Sequence, residues 1–266
     1  RQMCIRDSGI PGIPTAVEIP TRTPIVLTEV TFIDKVSPAD IRLFSYNVNW
    51  DSIFPDGDTQ NHKWREADRS EAFRRLIAAT SPDIACLQEI NPRRDASQVS
   101  AIFNEVLALS GGAKWQAVRV YDTVIVSRFD LATNGYELYY PLFVVGVDQA
   151  AALVDLPDDV YGQKDFYLVC NHFASSGDLE SINQRQTQAD ALARQAGDLK
   201  TEGGYIDLAP NTPFVFAGDF NVYNTDPAHH LVTLLTGDIV DEEQFGEDVQ
   251  SDWDNTFLAD VLPSIN

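Results

Sequence analysis

The sequence predicts an α/β fold built on more than one β-sheet. Three observations lead there. Short apolar runs rich in β-branched and aromatic residues recur along the chain, bounded by Gly, Pro or polar residues, as strands are. Segments with apolar residues at helical spacing are interspersed among them. The runs number at least nine, and a single open sheet of that size tends to split in two.

In chain order, residues 1–8 resemble a translated sequencing adapter and are set aside from fold reasoning. Gly9 to Thr23 is rich in Pro and Thr, lacks periodicity and reads as a lead-in. Strands fall at 25–33 and 41–48. A helix over 62–80 is predicted from Trp64, Ala67, Phe73, Leu76 and Ile77, with Ser81-Pro82 stopping it. A strand at 83–88 precedes a helix over 96–109, where Val99, Ile102, Phe103, Val106 and Leu107 share a face and Gly111-Gly112 ends it. Strands at 115–120, 122–127, 136–145, 149–154 and 166–172 follow. A stripe of Ile182, Ala189, Leu192, Ala196 and Leu199 predicts a helix over 180–200. The last strand, 213–218, runs from Pro213 to Gly218, and Asp226-Pro227 supplies an N-cap and first residue for a short helix to about Leu235.

Four of these strands end in a polar side chain: Asn47, Glu89, His172 and, after Gly218, Asp219 followed by Asn221. Asp219 and Asn221 are two apart, which on an extended segment puts them on one face. One such ending is usually the start of a loop. Four together point to a single site at one edge of the sheets. Several features have plainer readings. His229 and His230 are adjacent and would diverge by ~100° on a helix, a poor metal pair. Residues 238–248 read as a solvated acidic loop and 55–58 as a turn. Trp50 and Phe54 could line a groove or pack against the loop, and Asp122 could assist the site, though no spacing rule demands it.

The segments Ser45-Tyr46-Asn47, Leu87-Gln88-Glu89, Asn171-His172-Phe173 and Gly218-Asp219-Phe220-Asn221, in this order, resemble the endonuclease/exonuclease/phosphatase superfamily of deoxyribonuclease-I-like phosphoesterases. Thr123 to Arg128, and Arg185 with Gln188, add weaker matches, and the likeness covers about Pro38 to Ala228. It implies a four-layer αββα sandwich of two packed mixed sheets flanked by helices. It divides the chain into a lead-in with a first strand (9–36) and a catalytic domain (37–266). The family pattern closes on an Asp-containing strand and a Ser-Asp-His motif that have no match after Asn221, so the last core strands are expected to be missing and this piece nearly inactive.

The implied activity is divalent-metal-dependent hydrolysis of a phosphodiester or phosphomonoester by in-line water attack, with Mg2+ expected and Mn2+ or Ca2+ as substitutes. Glu89 and Asn47 would hold the metal, and Asp219 would orient or deprotonate the water. Asn221 would donate to a phosphate oxygen, Asn47 would bridge metal and phosphate, and His172 would contact a phosphate oxygen or the leaving group. Nuclease, lipid phosphodiesterase and small-molecule phosphatase all remain open. The competing expectation is a non-catalytic binding module on the same fold.

Composition narrows the partners. The 266 residues, 44% hydrophobic, are enough for one full core. Lys plus Arg total 19 against 40 Asp plus Glu, a net charge of −21, which opposes non-specific binding to a polyanion. No stretch approaches the ~20 apolar residues of a membrane span, and a monomer is expected. The acidic composition and the lead-in fit a secreted or periplasmic setting. Of Cys4, Cys86 and Cys170, the last two lie in predicted buried strands, where free thiols act as small hydrophobes, and a disulfide between them is the less favoured alternative. Nothing in the sequence shows that their Cα atoms approach closely enough to pair.

Overall fold

Apolar residues run on continuously along most of the strands, so the central strands bury both faces, and three core layers result. In the computed structural model, which describes residues 35–50, 52–54, 68–132, 149–204, 206–222 and 229–259, the strands form two four-stranded mixed sheets. All these residues but Ala259 fall within the unit Ile33–Leu258. The first sheet orders β1 (Leu43–Asn47), β2 (Ile84–Gln88), β4 (Thr123–Ser127) and β3 (Gln116–Val120). The second orders β5 (Asp130–Ala132), β6 (Ala150–Asp155), β7 (Phe166–His172) and β8 (Phe214–Asp219). The helices are α1 (Ser70–Thr80), α2 (Ala96–Val106), α3 (Asp158–Tyr161), α4 (Leu179–Leu199), α5 (His229–Thr236) and α6 (Glu242–Phe245).

The layers can be read from the period of two. Ala85, Leu87, Val124 and Val126 pack with Phe73, Ile77, Val99 and Phe103 of α1 and α2. The alternate residues Ile84, Cys86 and Ile125 meet Ala150, Ala152, Leu168 and Cys170 between the sheets. On the far side Tyr167, Val169, Phe214 and Phe216 pack with Ala189, Leu192 and Leu199 of α4 and with Leu234 of α5. This is the four-layer αββα sandwich. α2 carries a capping box from Asp95 and Gln98, and Asp178 caps α4 by accepting from Ser181 N at 2.9 Å.

Seven predicted strands appear within two residues of their expected bounds; those at 25–33 and 136–145 lie outside the described residues. The helix expected over 62–80 begins only at Ser70: Asp68 and Arg69 are non-helical and Asp68 Oδ1 accepts from Ser70 N at 2.9 Å, while 55–67 lie outside the described residues, as do 223–228 before α5. The residues expected to be an adapter and most of the lead-in are likewise outside. No described helix is long and apolar enough to cross a membrane.

Of the two readings of Cys86 and Cys170, the structure takes the less favoured one, the disulfide. Their Cα atoms stand 5.4 Å apart and the sulfurs are bonded, joining β2 of one sheet to β7 of the other. Both project into the inter-sheet layer, and pairing across 84 residues of chain follows from how the sheets dock, which no local pattern encodes.

Candidate active site

β1 runs parallel to β2, and β7 parallel to β8, so the C-terminal ends of each pair come together. The inter-sheet faces of β1, β2, β7 and β8 end in Asn47, Gln88, His172 and Asp219. Asn47 Nδ2 donates to Glu89 Oε1 at 3.0 Å and to Asp219 Oδ2 at 3.2 Å. One amide thus bridges two carboxylates from different sheets. His172 Nε2 lies 3.9 Å from Glu89 Oε1, is buried, and has no hydrogen-bond partner among the described residues. The single site expected from four strand endings is therefore assembled at one end of the seam between the sheets.

Six of the nine described non-glycine residues with positive φ lie on loops at this edge: Asn49, Trp50, Glu89, Tyr121, Ser176 and Asn221. Backbone strain of this kind, of order 1–3 kcal/mol per residue, persists where surrounding structure holds it and gathers at functional sites. Glu89, at φ 59°, turns directly off β2.

Two expectations need correction or refinement. Asp219 and Asn221 do not share an extended face. β8 ends at Asp219, Asn221 sits at φ 48°, and its Nδ2 donates to Phe173 O at 2.7 Å while its backbone N donates to Asp219 Oδ1 at 3.0 Å. The carboxylate bonding the backbone two residues on is an Asx turn, and it takes the chain out of the extended form right after Asp219. Asn47 does the same with Asn49 N at 3.0 Å, so its Oδ1 is turned to its own loop and its NH2 to the carboxylates. As a metal ligand it would have to present the oxygen.

Asp122 is the residue that strand-end reasoning underweighted. Its Oδ2 lies 2.8 Å from His172 Nδ1, and its carbonyl accepts from Ile90 N at 2.8 Å. It precedes β4, which runs antiparallel to β2, so the start of β4 lies beside the end of β2. A search of C-terminal ends alone passes over it. By contrast, Arg128 sits at the opposite end, paired with buried Asp83 at 3.2 Å. Phe54 is buried in the core. His230 is buried on α5 with its ring 6.0 Å from Phe173. Arg185 Nη1 donates to Ala174 O at 2.9 Å and Ser176 O at 2.6 Å, and Gln188 accepts from Ala174 N at 2.9 Å, so α4 secures the loop after His172.

Burial opposes the charged form of His172, but the Asp122 hydrogen bond and the charges of Asp122, Glu89 and Asp219 outweigh it and raise its pKa above the ordinary 6.5. A raised folded-state pKa contributes stability that is fully present below about pH 6.5 and lost as pH rises through the folded value. In the metal-free protein, the urea midpoint lost on His172→Gln should therefore be larger at pH 6 than at pH 9. Asp122→Asn should lower the imidazole pKa, read by NMR titration of the metal-free protein, because burial then meets less opposition. A titration unmoved by that change would remove Asp122 from the site.

The profile of the Endonuclease/Exonuclease/phosphatase family matches residues 44–260, most of the chain. The chain belongs to that family. It is a family of phosphoester hydrolases whose members generally depend on divalent metal. Among solved structures, the human Nocturnin catalytic domain is 17% identical at TM-score 0.46, covering 79% of this chain and 77% of that one. A D. rerio TDP2 humanized by 14 mutations is 20% identical at TM-score 0.44, covering 72% and 70%. An endonuclease/exonuclease/phosphatase from Beutenbergia cavernae is 18% identical at TM-score 0.43; the match covers 70% of this chain and 48% of that one. No curated protein sequence matches.

The donor chemistry fits the family's metal. Two hard carboxylate oxygens, of Glu89 and Asp219, converge on one amide. Among the described residues no three acidic, His or Cys side chains group closely enough to hold an ion by themselves. Mg2+ would suit such a set, because a single carboxylate, that of Glu89, can hold it while it keeps several waters and Asp219 stays free to act on one of them.

Proposed function

We infer that this chain is a divalent-metal-dependent phosphoesterase that cleaves a phosphodiester by in-line attack of water. The observation that carries the reading is the convergence of Glu89 and Asp219 on Asn47, with the Nε2 of His172 beside Glu89. Glu89 would hold the metal, with Asn47 joining it if its amide presents Oδ1. Bound there, Mg2+ supplies Lewis-acid neutralisation of the phosphate charge and lowers the pKa of bound water.

The other roles belong to the protein's own groups. Asp219 orients the attacking water and takes its proton. Asn221, held by Phe173 O through one amide hydrogen, has a second for a non-bridging phosphate oxygen. Asp122 fixes His172 through Nδ1, leaving Nε2 to donate to a phosphate or leaving-group oxygen. The Asp122 hydrogen bond and the neighbouring carboxylate charges favour the imidazolium over the neutral ring, and the imidazolium is the form in which Nε2 can donate to an anion.

The net charge of −21 favours a compact diester, such as a lipid headgroup or small molecule, over a long nucleic acid. A secreted or periplasmic, monomeric protein is part of the proposal. The buried disulfide supports the oxidising compartment.

The test is hydrolysis of bis(p-nitrophenyl) phosphate with Mg2+ or Mn2+. Turnover that EDTA abolishes and added metal restores is expected. A thermal midpoint raised by Mg2+ with no turnover would mark a binding module instead, and neither response would end the assignment.

A further inference from the structure

The groups of the site come from two sheets that share no strand. Asn47, Glu89 and Asp122 belong to the first sheet, His172, Asp219 and Asn221 to the second. Ladders of hydrogen bonds fix strands within a sheet. The spacing between sheets is set by packing and by the links that cross. Outside the site, Ala150 N donates across the seam to Thr123 Oγ1 at 2.8 Å. The covalent crossing is Cys86–Cys170.

That bond lies directly behind the chemistry. Cys86 is three residues before Glu89, and Cys170 is two before His172. Both are fully buried on the inter-sheet faces. Gln88, itself 1% exposed, covers the bond: its Nε2 donates to Cys86 O at 2.9 Å and lies 3.0 Å from Cys86 Sγ and 3.5 Å from Cys170 Sγ. Any change at the sulfurs therefore reaches the residue that precedes Glu89.

We propose that the Cys86–Cys170 disulfide is a positioning element of the site, setting the separation of Glu89 from His172, so that hydrolysis requires the bond to be intact. The activity part rests on the phosphoesterase reading above. The reasoning is steric. Bonded sulfurs sit about 2.0 Å apart, whereas unbonded heavy atoms need roughly 3.5–4.0 Å. Reduction by a dithiol breaks one S–S bond, delivers two electrons and two protons to give two thiols, and closes the reductant into its own disulfide. The two thiols must then separate by more than an ångström within a close-packed layer. A misplacement of about 1 Å can reduce a rate by roughly 10²-fold.

Three measurements test this. Alkylation of the unfolded, unreduced chain should modify only Cys4, and all three cysteines after reduction; three modified without reduction overturns the bond. Cys86→Ala/Cys170→Ala, assayed well below its own unfolding midpoint, should show kcat down tenfold or more with KM within threefold, and faster amide exchange at Ala150. Cys86→Val/Cys170→Ala refills the core, and a loss that persists there is due to the missing bond and not to a cavity. A kcat within twofold of the parent in either variant, with only the midpoint lowered, overturns the positioning role and leaves a structural brace. If the parent hydrolyses no diester, the phosphoesterase reading fails separately. Exchange at Ala150 then decides the positioning: faster in the double variant upholds it, unchanged overturns it.

Discussion

Glu89→Gln and Asp219→Asn are each expected to lower kcat/KM for metal-dependent diester cleavage by about 10²–10⁴-fold, the range a general acid–base group contributes. The two losses should differ in kind. Glu89→Gln removes the charge that draws the metal, so part of its deficit should yield to higher Mg2+. Asp219→Asn removes the base for water, and added metal should not restore it. Neither change should unfold the protein. The two carboxylates now repel one another across one shared amide donor, so neutralising either relieves that repulsion in the metal-free state. A thermal midpoint equal to or above the parent's, beside a severe rate loss, is the expected signature. Unchanged turnover in both variants would sink the mechanism.

Gly218→Ala is the substitution expected to damage the fold most. Gly218 lies at φ 135°, a conformation that L side chains rarely adopt, and a Cβ there would stand 2.0 Å from Asn171 O and 2.7 Å from Asn171 N. Gly218 pairs with Asn171 in the parallel β7–β8 ladder, so the obstacle is backbone that cannot swing away. Backbone strain and overpacking each contribute about 1–3 kcal/mol, which together is roughly 2–6 kcal/mol. That is a large part of the ~5–15 kcal/mol that stabilises a typical domain. The neighbours in the ladder are His172 and Asp219, so what remains folded should also be a poor catalyst. An unfolding free energy from urea titration lowered by less than about 1 kcal/mol would show that the ladder opens more easily than this geometry implies.

Much of the sandwich was legible because its strands are continuous apolar runs and its main helices have apolar stripes. The strand and helices that escaped notice are too short for any period to show. β5 is three residues long, with only Leu131 buried, and α3 and α6 are four residues each. Within the site, Asn47, Glu89, His172 and Asp219 were visible as polar endings on apolar strands. Asp122 was not, because a β-strand that runs the other way brings its start, not its end, to the shared edge. The conformation of Asn221 was misjudged because an Asx turn competes with the extended chain, and its outcome depends on the carbonyl of Phe173, the residue just after β7. The Cys86–Cys170 bond depends on the docking of two sheets, information that sits in no single segment.

The division of the site between two sheets has a consequence for how the molecule comes into being. Among the described residues the strands of the first sheet come from 43–127 and those of the second from 130–219, so each set is drawn from its own stretch of chain. During synthesis the described strands of the first sheet leave the ribosome before those of the second, carrying only half of the candidate groups. Competence arrives at the moment of docking, as a property of the pair. Each sheet holds an incomplete set of the candidate groups, and the proposed reaction would belong to the interface between them.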